Sequence, residues 1–251
     1  VIAARVKSWA AWSPGVEDAE AWRRWCADPK ELQREGRPDA SFLPALLRRR
    51  CSPLARIMLT AAFDCCPAGD AARVASVFAS RHGNINESIG LLERLARGEP
   101  LSPTRFSHSV HNAQAGLFSI AAHNREASSS IAAQSDTFPA GWIEAMTLLA
   151  RVPERPVLLV VGDVPLAATF AELVDEPETS YAVALLLTGR DPEAESEALD
   201  FSLEHGEAEP THLRWPQAVE FLRFLLSDEP RLCLTSGRRR WVWDRRSSVM
   251  S

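Results

Sequence analysis

Apolar positions along this chain fall into two patterns, short unbroken runs and helical repeats, and the two alternate. Val157-Leu-Leu-Val-Val161 is a continuous apolar run and Tyr181 to Leu187 is another. Runs this short, rich in Val and Leu, mark strands buried on both faces. Val74 to Ala79 and Ser129 to Ala133 predict shorter strands, and Val1 to Trp12 alternates loosely enough for a first strand, stopped by Ser13-Pro-Gly15. Helical spacing predicts helices over Asp18–Cys26, Phe42–Arg50, Ser52–Ala62, Asn86–Arg97, Val110–His123, Pro139–Ala150 and Val219–Leu226. Residues 27 to 42 are polar and read as loop. Asp191 to Glu209 is acidic and Pro-flanked, and predicts a surface loop or frayed helix. Arg231–Thr235 and Arg240–Asp244 predict an edge hairpin around Ser236-Gly237. Strands alternating with helices, some buried on both faces, define an α/β layered fold. No repeat or clean boundary divides the chain, so residues 1–251 read as one domain, with 190–251 its extension.

Composition removes several function classes. With 251 residues, 46% hydrophobic and 24% charged content and a formal charge of -5, the chain carries no basic field suited to nucleic acid. No apolar run approaches the roughly 18 residues needed to span a bilayer. The opening Val-Ile-Ala-Ala-Arg-Val-Lys lacks signal-peptide form, and a cytoplasmic location is the default expectation. Cys26, Cys51, Cys65, Cys66 and Cys233 have no metal-ligand spacing. Cys65-Cys66 follows an apolar run and reads as two small buried hydrophobes. Neither a metal nor a cofactor is expected.

Several islands carry a family resemblance. They are Trp12-Ser-Pro-Gly15, Phe42-Leu-Pro-Ala-Leu-Leu-Arg-Arg-Arg-Cys-Ser-Pro53, Ser80-Arg-His-Gly-Asn84, Ser109-Val-His-Asn-Ala-Gln-Ala-Gly116 and Val157-Leu-Leu-Val-Val-Gly-Asp163. In this order they resemble β-ketoacyl synthases, and most of all the short stand-alone ketosynthase-like proteins of aryl-polyene and xanthomonadin-type pigment pathways. The resemblance implies half of a thiolase/ketosynthase-like fold, a mixed five-stranded sheet with helices on both faces. It also implies that Asn112 and Gly116 lie on a helix at a dimer interface, with His111 beside them. Counting from Asn112 by the family's interval places the nucleophile position at Ser135, and a one-residue slip places it at Gln134. Neither is the cysteine whose thiolate accepts the acyl chain in active members. The family's two catalytic histidines come from a C-terminal half that this chain ends too soon to build.

The resemblance therefore implies a chain-length-factor-like subunit without catalytic residues. It would pair with a full-length β-ketoacyl synthase and meet an acyl carrier protein bearing the growing chain. Its interface and tunnel wall would be formed by His111, Asn112, Gly116, Asp136 and Phe138. A free half of the fold leaves apolar surface uncovered, which itself calls for a partner. Arg48-Arg49-Arg50 and Arg238-Arg239-Arg240 are candidates for docking an acidic carrier, set against an ordinary solvated role. The alternative is a serine-dependent acyltransferase or thioesterase using Ser135 with a histidine such as His108 or His111. Ala133-Gln-Ser-Asp-Thr137 lacks the glycines of a hydrolase nucleophile turn, which weighs against it.

Overall fold

A computed structural model describes residues 2–66, 68–174, 177–189, 198–206 and 213–246. The strands are β1 (Ile2–Trp12), β2 (Ala75–Ala79), β3 (Ser128–Ile131), β4 (Val157–Asp163), β5 (Tyr181–Thr188), β6 (Ala198–His205), β7 (Arg231–Ser236) and β8 (Arg239–Arg245). The helices are α1 (Ala19–Ala27), α2 (Ala45–Arg48), α3 (Pro53–Cys65), α4 (Ala68–Ala71), α5 (Ile85–Ala96), α6 (Pro103–His108), α7 (Ala113–Ala122), α8 (Thr137–Arg151) and α9 (Gln217–Leu225). One eight-stranded sheet runs in the order β3-β2-β4-β5-β1-β6-β8-β7.

The first five strands in that order form the expected mixed sheet. β3, β2 and β4 are parallel, and β5 and β1 follow antiparallel. β4 and β5 are buried along their whole lengths, as unbroken apolar runs require. The alternation of side chains across them feeds two cores. Leu159, Val161, Val183 and Leu185 face α8, α1 and α9, while Leu158, Val160, Ala184 and Leu186 face α3 and α7. α3 starts where Ser52 Oγ accepts from the Ala55 amide at 3.1 Å, with Pro53 in the first turn. Cys65 and Cys66 are buried against this helix, and burial pushes their thiols up to about 12 and about 11.

The sheet is larger than five strands because β6, β8 and β7 continue it antiparallel beyond β1. β1 pairs with β5 from Arg5 to Trp12 and with β6 from Ile2 to Arg5, and its register slips between Val6 and Ser8. The segment Asp191–Glu209 is not wholly loop or frayed helix. Ala198–His205 is β6, while residues 190–197 and 207–212 lie outside the described residues. Leu199, Phe201 and Leu203 alternate there with Asp200, Ser202 and Glu204, a half-buried strand pattern hidden by the acidic composition of its surroundings. The helix expected over Phe42–Arg50 shortens to Ala45–Arg48, and Val110 to His123 resolves into α7 with His123 left-handed at its end.

Candidate functional site

The turn from β3 into α8 carries the densest set of expected site residues. It is tightened by Thr137, whose hydroxyl donates to the Gln134 carbonyl at 2.7 Å and accepts from the Ala133 amide at 3.0 Å. Gln134 has φ +52°, a left-handed backbone that costs a non-glycine residue about 1 kcal/mol or more. A sharp strained turn between strand and helix is how an elbow presents one side chain outward, and the Gln134 side chain is exposed.

Its neighbours point into the protein. Ser135 Oγ lies 2.9 Å from the Ser236 hydroxyl on β7, so its partner is another hydroxyl and not an imidazole. Asp136 is 4% exposed and accepts from Trp241 Nε1 at 2.7 Å and from the Arg239 guanidinium at 2.8 Å. It stands at the cap position of α8 but makes no side-chain cap bond. The Phe138 ring stacks on Trp243 and meets Phe221 and Trp142. It lies in the core, 2% exposed. Seven of the eight tryptophans are buried, so they serve mainly as core.

Ser236, Arg239 and Trp241 belong to the site region but carry no family motif. They reach the elbow only because β7 and β8 fold back across about a hundred residues of chain. The sequence signals near them are the expected hairpin around Ser236-Gly237 and the run Arg238-Arg239-Arg240. It is not a free basic patch, because Arg239 pairs with Asp136 and Arg240 with Glu204 at 3.6 Å.

His111 and Asn112 precede α7 on the opposite face from α8. The His111 Nε2–H donates to the Ser80 carbonyl at 2.9 Å. Gly83, at φ +56°, lets that ring pass, since a Cβ there would sit 2.8 Å from His111 Cδ2. Ser80 belongs to a second buried network. Asp163, at the end of β4, accepts from the Ser80 hydroxyl at 2.7 Å, from the amides of Arg81 and His82, and from Tyr181 at 3.4 Å. Burial pushes the Asp163 carboxyl up, against the lowering pull of those donors. His108 is held by its backbone, whose carbonyl accepts from Asn84 Nδ2 at 2.6 Å; burial, and then Arg50, lowers its imidazole.

Asn112, Gly116 and Ile120 lie four residues apart on the outward face of α7, and all three are exposed. A Cβ built on Gly116 meets nothing within 4 Å. The structure thus groups Gln134, Ser135, Asp136 and Phe138 at the elbow, and His111, Asn112 and Gly116 around α7. Among the described residues, no cluster of three His, Cys, Asp or Glu side chains is placed to hold a metal ion. No described helix is long and apolar enough to cross a membrane.

The family described as "Beta-ketoacyl synthase, N-terminal domain" matches residues 22–244. The chain belongs to that family, and its fold is the α/β thiolase-like ketosynthase fold. Among solved structures, a chain of the ketosynthase (ApeO) in complex with its chain length factor (ApeC) from Xenorhabdus doucetiae is 28% identical, with a TM-score of 0.83. That match covers 98% of this chain and 100% of the other. The ishigamide ketosynthase/chain length factor superposes with a TM-score of 0.63 at 14% identity, over 80% of this chain and 67% of the other. A β-ketoacyl synthase from Burkholderia phymatum gives a TM-score of 0.59 at 11% identity, over 84% and 66% respectively. No curated protein matches the chain.

Proposed function

We propose that this chain is a non-catalytic, chain-length-factor-like subunit that pairs with an active β-ketoacyl-acyl carrier protein synthase and shapes the tunnel holding the growing acyl chain. The observation that carries this reading is the elbow. Its backbone is strained at Gln134, and the side chain presented there is a carboxamide, which is no nucleophile. Gln134 is therefore the residue assigned to the nucleophile position, one before Ser135. The likeness to a chain of the ApeO–ApeC complex supports the reading, because it spans the whole of both chains, where the larger synthases are covered to only about two thirds.

The pairing surface in this reading is the outer edge of β3 with the outward face of α7 beside it. β3 is the end strand of the sheet and offers its free ladder groups to a partner strand. Gly116, without a side chain, allows another backbone close to the α7 face. Neighbouring α5 and α6 add Leu92, Leu95 and Phe106, each more than half exposed, an apolar surface suited to a partner. Phe138 acts here from behind the elbow, as support for the tunnel wall and not as its lining.

Serine-dependent acyl transfer gains nothing from the geometry, since Ser135 has a hydroxyl partner where a base is needed. Gly116→Trp tests the proposed pairing. The site is open within the chain, so the variant should fold with unchanged melting temperature. Co-expressed with a ketosynthase from the same gene neighbourhood, it should lose co-purification and product formation. Undiminished pairing would overturn the assigned surface. Ser135→Ala should leave the partner's activity within about twofold, whereas a serine enzyme would lose orders of magnitude.

A further inference from the structure

At the end of the sheet away from the elbow, a cavity of about 280 Å³ opens among the starts of β2 and β4, the approach to β3 and the last turn of α8. Because β2, β3 and β4 are parallel, this end is separated from the β3–α8 turn by the length of the strands. The cavity's apolar side is formed by Leu148, Val152 and Val157, and Val152 is left 43% exposed there. Its polar side brings together Arg73, Glu126, Arg151 and Arg155 from three separate segments of the chain.

These charges do not cancel. Arg155 pairs with Glu126 at 3.4 Å, while Arg73 and Arg151 have no carboxylate partner among the described residues. Arg151 sits in the last turn of α8, where a cation complements the helix dipole by about 0.3–1 kcal/mol. Arg73, which precedes β2 and is exposed like Arg151, lines the same hollow. A guanidinium presents paired N–H donors that match a carboxylate in a bidentate fork. An apolar wall beside two such unpaired forks is complementary to a small anion with a hydrocarbon body. At about 30 Å³ per water-sized group, the volume admits roughly nine such groups, the size of a six- to eight-carbon carboxylate.

We propose that this cavity binds a short-chain organic carboxylate, with its head group between Arg73 and Arg151 and its tail against Leu148, Val152 and Val157. The site lies at the opposite end of the strands from the elbow. The test is a titration of the full chain with hexanoate, followed by amide resonances of Ala75, Ala127 and Val157, with hexanol and inorganic phosphate as comparison ligands. Hexanoate should give saturable shifts below ~10 mM, and each of the other two should bind at least tenfold more weakly. Arg73→Ala with Arg151→Ala should weaken hexanoate at least tenfold while lowering the melting temperature by no more than about 4 °C, and Arg49→Ala, at an exposed arginine outside the cavity's lining, should not weaken it. Absence of saturation, equal binding of hexanol, equal binding of phosphate, or indifference to the double substitution would each overturn the proposal.

Discussion

The sheet is one continuous surface, but its two regions are held in different ways. From β3 to β1, every strand lies between helices, and β4 and β5 expose almost nothing. From β6 to β7, the large apolar side chains gather on one side. Leu199, Leu234, Trp241 and Trp243 join the α8–α9 core, while the strands also carry the ion pairs Glu204–Arg231, Glu204–Arg240 and Asp200–Arg246. The first region is a double-sided core whose stability comes from buried area. The second is a half-sided extension held by β6 pairing with β1, by packing on α9 and by contacts with the elbow. Ser135, Asp136 and Phe138 tie the extension to the turn before α8, and in the function proposed above this turn stands where an active relative has its chemistry.

The strongest way to break this arrangement is Trp243→Ala. Trp243 is fully buried and touches Phe138, Trp142, Phe201 and Phe221, linking extension, elbow helix and α9. Its loss should cost about 3–5 kcal/mol, read from urea unfolding of the full chain. A loss below about 1 kcal/mol would show that the extension does not share the core's cooperativity.

Two buried carboxylates, one in each region, sharpen the contrast. Asp136→Ala leaves Trp241 Nε1 without its acceptor and Arg239 without its partner, and should cost about 1–3 kcal/mol. The loss should appear as faster amide exchange in β7 and β8, with β4 and β5 unaffected. Asp163→Asn should also destabilise the chain, because it puts an amide nitrogen in place of one of the oxygens that accept from Ser80 and the Arg81 and His82 amides. Its pH dependence distinguishes it further. Burial raises the Asp163 carboxyl above the ordinary aspartate value, so the folded chain holds that proton more tightly than the unfolded one. The resulting stabilisation is complete below the unfolded-state pKa and is lost as pH rises through the folded one. The wild-type advantage over Asp163→Asn should therefore shrink from pH ~3 upward through the folded-state titration. An advantage that grows over this window would mean that the donors outweigh burial.

The smallest effect concerns the elbow itself. Gln134→Gly relieves the left-handed backbone and should stabilise the chain by up to about 1 kcal/mol, offset in part by glycine's greater freedom when unfolded. Destabilisation would show that the Gln134 side chain contributes more than the strain costs.

Much of the double-sided region was legible along the chain. The runs at Val157–Val161 and Tyr181–Leu187 became β4 and β5, and helical spacing located α3, α5 and α8 within a few residues. Legibility failed at β6, where local acidity outweighed a clear two-residue alternation. At the elbow, Gln134, Ser135 and Asp136 could be named, but counting left Gln134 and Ser135 undecided. The proposed assignment to Gln134 rests on its left-handed backbone, which no residue spacing encodes.

By itself the sequence determined the layered α/β class, from local periodicity, and the absence of cysteine from residues 134–136, from residue identity. Only the tertiary structure decided that the sheet has eight strands, that Phe138 is core, and that Ser236, Arg239 and Trp241 close over the elbow. Those facts rest on contacts between segments about a hundred residues apart, and such contacts form only when two buried surfaces meet. Pattern along a chain reports which face of an element is apolar; which other face will cover it is settled by packing.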